Sequence, residues 1–349
     1  MDVEQAVLFA LLKTGEKLLP SGQKLSAEIK TLTQTYALQN KLKTEKSAAL
    51  ADKVTQEIVK WASTDGFRQL NNLQRYTPKS GPEFWQPTAP VFMMPVEPHW
   101  RKVRTFIMDS AQQFKPQIPT PYDTTSGSSF YRQVKDVMAV VNAKNKKQQD
   151  IAQFWDCNPY AISQIGHVEF GTKKISPGGH WMGIAGIACK KTKSSLSKTV
   201  LVHTLLAVTM HDAFVACWDE KYRSHRVRPE TVINQLFDPL WRPLLQTPPF
   251  PEYVSGHSVV SSASAALLTQ IFGTKCAFTD DTETEFGLPK RKFTSFQQAA
   301  DQACISRFYG GIHYMDAIEQ GKWQGHTVGE WAIKKLSGFF TIIESSKKG

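Results

Sequence analysis

The sequence predicts an all-α fold, and three observations favour this class. Apolar residues recur at steps of three to five positions across residues 41–62, which is the spacing of one helix face. The segment from residue 199 to about 221 is apolar almost all round, as is typical of a helix buried on every side. Strand-like alternation of apolar and polar residues is scarce along the whole chain.

Further helical patterns continue along the chain. They are predicted at residues 131–142, 147–154, 182–189, 258–272, 296–307 and about 314–336. Gly273 ends one of them, because glycine readily takes up the conformations that terminate a helix. The stretch Pro177-Gly178-Gly179-His180-Trp181 is predicted to be a loop that leads into another.

Two stretches rich in proline and aromatic residues lie in the first half of the chain. Residues 77–99 and 114–123 are predicted to form irregular segments wrapped over a helical body. We therefore expect an N-terminal helical region with these segments at residues 1–125 and a helical core at 126–349. Since 349 residues suffice for one large domain, the two regions are expected to form one compact unit.

The chain is basic, with 42 Lys and Arg against 31 Asp and Glu and a formal net charge of +11. Such an excess favours anionic partners, namely nucleic acid, membrane phosphates or a small anionic substrate. Much of the charge lies in short runs at residues 144–147 and 190–193. We interpret these runs as solvated loops without a nucleic-acid partner, because no aromatic residues are interleaved with the cations.

The five cysteines do not have the spacing of a disulfide framework or of a structural zinc site. Their number is odd, they lie far apart, and no CxxC pair occurs. Cys217 and Cys304 lie within apolar stretches and are expected to be small core residues.

The N-terminal residues do not have the pattern of a secretory signal peptide. Asp2 and Glu4 precede the first apolar run, where positive charge would be expected. No stretch approaches the roughly 18 apolar residues that span a bilayer. We therefore expect a soluble chain without a transmembrane segment, and we leave its compartment and its oligomeric state open, with a homodimer among the alternatives.

The first candidate site segment carries two cations seven residues apart, Lys221 and Arg228. If the helix continues through both, they are separated by two turns and face the same way. Pro229 would then tend to end the helix near Arg228. Two cations on one face repel unless an anion lies between them, and the alternative is a basic cluster at the surface.

The second segment is Ser255-Gly256-His257, directly before the helix predicted at 258–272. The free N–H groups and the dipole of a helix N-terminus favour an anion, and Gly256 permits close backbone approach. Ser255 can donate its hydroxyl, and His257 would lie where a group that titrates near neutrality can transfer protons. The alternative is an N-cap serine with a bystander histidine.

The third segment runs from Ser306 to Asp316 and contains a Gly-Gly pair that is predicted to separate two helices. Arg307 offers a fork of donors to an oxyanion. His313 and Asp316 are three residues apart, within reach on one helical face. A carboxylate bonded to one ring nitrogen would free the other as a ligand or nucleophile; the alternative is an ordinary helix–turn–helix.

Together the three segments fit one ligand, a phosphate-like tetrahedral oxyanion. Burying an ion with two to three negative charges costs many kcal/mol unless cations match it. Lys221, Arg228 and Arg307 supply three positive charges.

These segments resemble the signature of the superfamily of type 2 phosphatidic acid phosphatases and vanadium-dependent haloperoxidases. Its pattern is K-x6-RP, then PSGH, then SR-x5-H-x3-D, and the three parts occur here in this order. Val254 replaces the proline before Ser255, and Asp316 follows His313 by three residues rather than four.

Other stretches of the chain look like the bacterial vanadium-dependent haloperoxidases, so that the likeness extends from about residue 60 onward. They are Phe84-Trp85-Gln86-Pro87-Thr88, Pro98-His99-Trp100, Phe154-Trp155, Pro177-Gly178-Gly179-His180-Trp181 and Cys217-Trp218-Asp219-Glu220-Lys221. The fold implied by the resemblance is a helical bundle of the haloperoxidase and acid phosphatase type.

The resemblance also implies a role for each matching residue. His313 would bond to vanadium in a haloperoxidase or attack phosphorus in a phosphatase, and Asp316 would orient it. His257 would be the acid–base that protonates a leaving alcohol or helps to deprotonate peroxide. The oxyanion would be held by Lys221, Arg228, Ser255, Gly256 and Arg307. Phe250 looks like the aromatic residue beside the vanadate site in chloride-oxidising members.

Three functions follow. The first is a haloperoxidase that uses vanadate as cofactor and oxidises halide with hydrogen peroxide; the likeness over most of the chain favours it. The second is an acid phosphatase that needs no cofactor and hydrolyses phosphomonoesters through a phosphohistidine. The third is a non-catalytic oxyanion-binding or scaffold protein, which is disfavoured because His257, His313 and the arginines are all present. The expected partner is a small molecule, either peroxide with halide or a phosphate ester.

Overall fold

The computed structural model describes residues 1–171 and 174–340. Its α-helices are α1 (Val3–Leu18), α2 (Leu25–Ala62), α3 (Ser129–Asn142), α4 (Lys146–Phe154), α5 (Pro177–Lys191), α6 (Leu196–Ser224), α7 (Pro229–Leu236), α8 (Gly256–Phe272), α9 (Phe296–Tyr309) and α10 (Met315–Lys335). Two antiparallel strand pairs join them, β1 (Ile162–Ile165) with β2 (Val168–Gly171) and β3 (Phe278–Asp280) with β4 (Arg291–Phe293). The predicted all-α class is confirmed in this part of the chain.

The chain forms two compact units. Unit 1 comprises Met1–Asn72 with Ser195–Val200, and unit 2 comprises Leu73–Ser194 with Leu201–Gly349. The segments predicted to wrap over a helical body, 77–99 and 114–123, therefore belong to unit 2. The predicted division at residues 125 and 126 stays a prediction.

Unit 1 is built on a helix pair that the sequence analysis found only in part. α1 packs along α2, and Phe9 is fully buried with its ring centre 6.0 Å from that of Tyr36. α1 and the first half of α2 were not predicted. The reason is that large apolar residues remain exposed there, Leu11 by 55% and Leu38 by 90%, and these blur the periodic pattern.

Helix α8 is the central element of unit 2. Eleven of its residues are buried, and α5, α9 and α10 all pack against it. The many Ser and Ala residues of α8 leave little side-chain volume between the helices, so the partners approach closely. α8 thereby connects the elements that carry the candidate site.

Glycines on α10 set its distance from α8. They are Gly321, Gly325 and Gly329, one at every fourth position. A Cβ at Gly325 would overlap the backbone of Val259, so only glycine fits this approach. The close packing also brings the start of α10 beside the start of α8, where the N–H of Ser255 donates to the Ala317 carbonyl at 3.0 Å.

The irregular segment that precedes α3 is fastened to α6 by a buried carboxylate. Asp212 is fully buried and accepts the backbone N–H groups of Phe106, Ile107 and Met108, each at 2.8 Å. Such charge-assisted bonds are stronger than neutral ones. A chain without regular structure, between the two segments predicted at 77–99 and 114–123, is thereby held against α6.

Two helix boundaries differ from the sequence prediction. α6 ends at Ser224 and does not continue to Arg228, because His225 takes a left-handed φ of 53° and Arg228 is the extended N-cap of α7 before Pro229. The predicted loop 177–181 is instead the first turn of α5. Ser176 caps that helix by accepting the N–H of Gly179, and proline suits its first position.

Helix α6 is long and apolar enough, by length and composition, to cross a membrane. Of the most apolar 18-residue window of this helix, a share of 56% is buried inside the protein. A core helix meets the same criterion, so this feature is weak support for a membrane span.

Candidate active site

His313 lies in the turn between α9 and α10 and is 3% exposed. Its Nδ1 is 2.9 Å from Glu252 Oε1, and its Nε2 is 3.2 Å from Nη1 of Arg228. A guanidinium only donates, so Nε2 accepts from Arg228 and Nδ1 carries the proton that Glu252 accepts. His313 is therefore a neutral imidazole that presents the lone pair of Nε2 away from the carboxylate.

The carboxylate that orients His313 is Glu252, so the predicted pairing of His313 with Asp316 is wrong. Glu252 is fully buried and also accepts the backbone N–H of Tyr314 at 3.0 Å. Because α10 begins only at Met315, His313 and Asp316 do not share a helical face. The three-residue spacing was interpreted as helical, whereas the chain there is still a turn.

Asp316 does not contact His313 but interacts with Arg226, which in turn contacts Glu252. Its Oδ1 lies 2.6 Å from Nη1 of Arg226, and its Oδ2 accepts the N–H of Thr120 at 3.0 Å. The same Nη1 of Arg226 is 3.4 Å from Glu252 Oε2. Arg226 therefore links the two carboxylates, and Asp316 acts on His313 only through this chain of contacts.

Arg228 is fully buried and spans the site from one side. Its Nε donates to the Phe250 carbonyl at 3.0 Å, and its Nη1 donates to the Ile312 carbonyl at 2.8 Å. Its Nη2 is buried without a hydrogen-bond partner. Burial lowers the pKa of Arg228 to about 10, which leaves the guanidinium charged at neutral pH. The backbone contacts thus fix the guanidinium plane while one donor remains for a ligand.

Lys221 is fully buried at the end of α6, close to Phe250. Its Nζ donates to the carbonyls of Pro251, Glu252 and Val254 at 3.1, 3.1 and 2.6 Å. These three acceptors match the three N–H bonds of the protonated, ammonium form of Lys221. Burial lowers the pKa of Lys221 to about 7, so the group lies near its titration point in the absence of an anion.

The Ser255-Gly256-His257 segment begins α8, as predicted. Ser255 is the N-cap and its hydroxyl accepts the N–H of Ser258 at 3.3 Å. Gly256 lies against Trp218, where an added Cβ would be 3.8 Å from the ring. The Nε2 of His257 is buried without a partner. Ser255 therefore has the N-cap role that was the alternative in the sequence analysis, its donation to an oxyanion stays a prediction, and His257 keeps a nitrogen for a ligand.

Arg307 lies on α9 and is 1% exposed. Its Nη1 donates to the Trp155 carbonyl at 2.8 Å, and its Nη2 is 4.0 Å from Asp156 Oδ1. Its Nε is buried without a partner. The backbone of Trp155 also forms a hydrogen bond with His257, so the segment that follows α4 positions both groups.

One cavity of about 200 Å³ is bordered by Gly256, His257, Arg307 and His313. Lys221, Arg228 and Ser255 lie behind its lining residues and are not among them. Its polar lining includes Asn158, Tyr160, Ser176, His257, Arg307 and His313, and its apolar lining includes Trp100, Phe214, Trp218, Pro248, Phe250 and Ile312. The ring of Phe250 has the cation of Lys221 at 5.0 Å and that of Arg228 at 5.2 Å from its centre. Phe250 is therefore a cavity-lining residue, as predicted, and it also separates two cations.

The electrostatics of the cavity favour an anion. Burial, followed by the charges of Arg228, Lys221 and Arg307, lowers the pKa of His313 well below its usual value. Burial and the charge of Arg307 have the same effect on the pKa of His257. Both histidines are therefore neutral until negative charge enters the cavity and offsets the cations.

Two site residues were missed by the sequence analysis. Glu252 lies three residues before Ser255, and its only sequence signal was an acidic residue in the stretch that leads to Ser255. Asn158 is 4% exposed and lines the cavity, with its Nδ2 buried and unpartnered. It follows the Phe154-Trp155 stretch. That stretch resembles the bacterial haloperoxidases, but its residue types indicated no chemical role.

The structure thus brings Gly256 and Arg307 to the cavity and Arg228 into contact with His313, whereas Lys221 and Ser255 bond to backbone groups. An all-α fold with buried cations beside two neutral histidines defines a class of helical enzymes with a site of positive potential. The family model described as the VCPO second helical-bundle domain matches residues 238–341. A solved structure described as the first bacterial vanadium-dependent iodoperoxidase has 45% sequence identity and a TM-score of 0.90. That match covers 95% of this chain and 79% of the other.

Two further solved structures, the holo and apo forms of a bacterial vanadium-dependent chloroperoxidase, are similar in fold. Each has 15% identity, the TM-scores are 0.73 and 0.74, and 96% of this chain is covered, against 82% and 84% of theirs. No curated protein matches the chain. On the match to the iodoperoxidase, the chain belongs to the vanadium-dependent haloperoxidase family. The phosphatase alternative is not favoured.

Proposed function

We propose that this protein oxidises halide ions with hydrogen peroxide, with vanadate held beside His313. The observation that carries the proposal is a set of buried polar atoms without partners near His313. They are the donors Arg228 Nη2 and Arg307 Nε and the acceptor His257 Nε2. The relative with 45% identity is described as a vanadium-dependent iodoperoxidase, which supports this reaction class.

The residues present fit a tetrahedral oxyanion. A buried donor without an acceptor costs about 1–3 kcal/mol, so several of them in one place favour a ligand rich in acceptor oxygens. Arg228 and Arg307 would hold such oxygens through the unpartnered atoms, and Lys221 would add a third positive charge. The start of α8 at Gly256 would contribute its dipole.

His313 would hold the vanadium through Nε2, because Glu252 fixes the proton on Nδ1. When bound, vanadate would supply a Lewis acid that polarises peroxide and makes one of its oxygens electrophilic towards a halide. Glu252 thereby determines which ring nitrogen is available, without contacting the ligand itself.

His257 would move the proton of the reaction. Its Nε2 is unpartnered, and its lowered pKa makes the ring a proton acceptor at neutral pH. It would accept a proton from incoming peroxide and return it to the hydroxide that is released when the O–O bond breaks and the halide is oxidised. An anion nearby raises the pKa of His257 towards neutrality, where transfer in both directions is efficient.

The apolar wall of the cavity would receive the halide. The ring centres of Trp100 and Phe214 are 5.4 Å apart and stacked, and Trp218 and Phe250 are 5.1 Å apart. These rings exclude water from one side of the cavity, where a weakly hydrated anion such as iodide loses little on entering. The cations behind Phe250 supply positive potential to the same side.

The experiment is a halide oxidation assay on protein freed of oxyanions by a chelator and an oxyanion-free buffer. Iodide and bromide are each supplied with hydrogen peroxide, with and without added orthovanadate, alongside an aryl phosphate. We expect halide oxidation only when vanadate is present. His313→Ala should lower it by at least about 100-fold, because the sole ligand nitrogen is removed.

The matched control is His326→Ala, which replaces a histidine on the exposed face of α10 and should leave activity unchanged. No halide oxidation with vanadate supplied, together with cleavage of the aryl phosphate, would establish the phosphatase alternative instead. If neither activity is observed, the remaining hypothesis is a non-catalytic oxyanion-binding or scaffold protein.

A further inference from the structure

A second cluster of chemically active side chains lies behind the cavity wall. Cys157 Sγ is 3.3 Å from His180 Nδ1, which is 3.0 Å from Glu283 Oε1. Cys157 Sγ and Glu283 Oε1 are 3.7 Å apart. The three donor atoms form a small triangle, and all three residues are buried. The proposed haloperoxidase reaction assigns no role to this cluster.

We propose that Cys157, His180 and Glu283 bind a divalent transition-metal ion, with Zn²⁺ as the expected occupant. Thiolate, imidazole and carboxylate are the ligands that zinc accepts, whereas Mg²⁺ and Ca²⁺ prefer oxygen alone. Zinc–ligand bonds of about 2.0–2.3 Å in tetrahedral geometry place the ligand atoms roughly 3.3–3.6 Å apart. The sulfur–nitrogen distance of 3.3 Å lies in this range, and the other two, 3.0 and 3.7 Å, differ from it by no more than 0.3 Å.

The surroundings of His180 are those of a metal-binding histidine. Its second nitrogen, Nε2, is 2.7 Å from Asp280 Oδ2. Asp280 is itself held, since Oδ1 accepts the N–H and the hydroxyl of Thr282 at 3.1 and 2.7 Å. The ring of Trp155 stacks on His180 with centres 4.5 Å apart. A carboxylate on the outer nitrogen fixes the tautomer and the ring direction that a metal ion requires.

Charge balance permits the ion despite complete burial. Two carboxylates, Asp280 and Glu283, lie within 3.0 Å of the His180 ring nitrogens. The sulfur of Cys157 is 3.3 Å from the same ring and binds a metal ion as the thiolate. These three negative charges would offset the two positive charges of Zn²⁺.

The ion would have an access route and a structural consequence. Cys157 lines the 200 Å³ cavity, which can admit the ion and provide water as a fourth ligand. The adjoining residue pair Trp155 and Asp156 contacts Arg307. Metal binding would therefore brace the segment that positions Arg307. The cysteine spacing gave no such signal, because the three ligands lie far apart in sequence and meet only in the fold.

The test is zinc binding by the full chain, kept reduced and without vanadate or peroxide. Protein dialysed against Zn²⁺ and then against metal-free buffer is analysed by mass spectrometry for metal content. We expect one equivalent in the wild-type chain and in Cys304→Ser, which removes an equally buried cysteine elsewhere. Cys157→Ser and Glu283→Gln should lose the ion. Asp280→Asn should weaken its affinity about 10–100-fold.

A spectroscopic readout on the wild-type chain keeps the proposal testable if a variant does not fold. Co²⁺ bound at this site should show a sulfur-to-cobalt charge-transfer absorption band. Retention of zinc by folded Cys157→Ser, absence of stoichiometric zinc in the wild-type chain, or bound Co²⁺ without that band would each overturn the proposal. None of these results depends on halide oxidation. Failure of the zinc-binding proposal is therefore distinguishable from failure of the proposed halide oxidation.

Discussion

The ring of His313 is held between Glu252, 2.9 Å from Nδ1, and Arg228, 3.2 Å from Nε2. This contact determines the chemistry of the site, because an acceptor on one nitrogen leaves the lone pair on the other. Burial raises the pKa of Glu252 to about 7, and the charge of Arg226 opposes this rise. The neighbouring arginine therefore helps to keep the carboxylate ionised.

Replacing Glu252 is expected to affect the site more than replacing Asp316. Glu252→Gln keeps an oxygen acceptor but removes the charge next to His313, and we expect vanadate affinity to fall about 10–100-fold. Asp316→Asn acts only through Arg226 and should cost less than about tenfold. The measurement is vanadate titration of iodide oxidation, with circular dichroism as the check of folding. A larger loss for Asp316→Asn would restore the pairing inferred from the sequence.

Binding of a tetrahedral dianion should take up a proton above neutral pH. In the free protein the pKa of Lys221 is lowered from 10.5 to about 7, so the group is mostly neutral at pH 8. A dianion raises this pKa, so the bound form holds more protons and affinity falls as pH rises, by up to about tenfold per unit.

Sulfate is the probe for this prediction, because its own charge is constant from pH 6 to 9. Calorimetry at pH 7 and 9, in buffers of different ionisation enthalpy, gives the affinity and the number of protons taken up. Lys221→Met should lose this pH dependence above pH 7. Equal sulfate affinity at the two pH values in the wild-type chain would refute the titration assigned to Lys221.

Asp212 is predicted to be a major source of stability in unit 2. Asp212→Asn replaces a carboxylate that accepts three backbone N–H groups by an amide that presents a donor to them. We expect the free energy of unfolding to fall by about 2–4 kcal/mol. Urea denaturation measures this difference. Asp136→Asn, on the exposed face of α3, should change stability by no more than about 0.5 kcal/mol.

Gly325 is predicted to tolerate no side chain. A methyl group there would overlap the Val259 backbone of α8, so Gly325→Ala should lower the unfolding free energy by about 1–3 kcal/mol or more. A glycine-to-alanine change within a helix would normally raise the free energy of unfolding. Thermal denaturation of Gly325→Ala decides between a loss and a gain of stability. Glu319→Ala, at an exposed position of α10, is the control. A stabilised Gly325→Ala would contradict the close packing.

Local signals in the sequence were sufficient for two helix boundaries at the site, the start of α8 and the end of α9, but not for the end of α6. Ser255 as N-cap of α8 and the end of α9 before Gly310 depend on nearest neighbours, which the sequence shows directly. The loop predicted at His180 was wrong, because Gly178 and Gly179 suggested flexibility although Ser176 caps a helix there.

Contacts between distant segments could not be deduced in this way. Lys221 and Arg228 do converge, but around the ring of Phe250 and not along one helix. Glu252 meets His313 across 61 positions of sequence. No periodic pattern connects residues so far apart, so the orienting carboxylate was assigned to the nearest acidic residue, Asp316.

The most direct test of vanadate binding at His313 is a crystal structure of the protein with orthovanadate bound. We expect an anomalous vanadium signal in the 200 Å³ cavity, within bonding distance of His313 Nε2 and with oxygens on Arg228 Nη2 and Arg307 Nε. Vanadate found elsewhere, or found in the cavity beyond reach of His313, would contradict it.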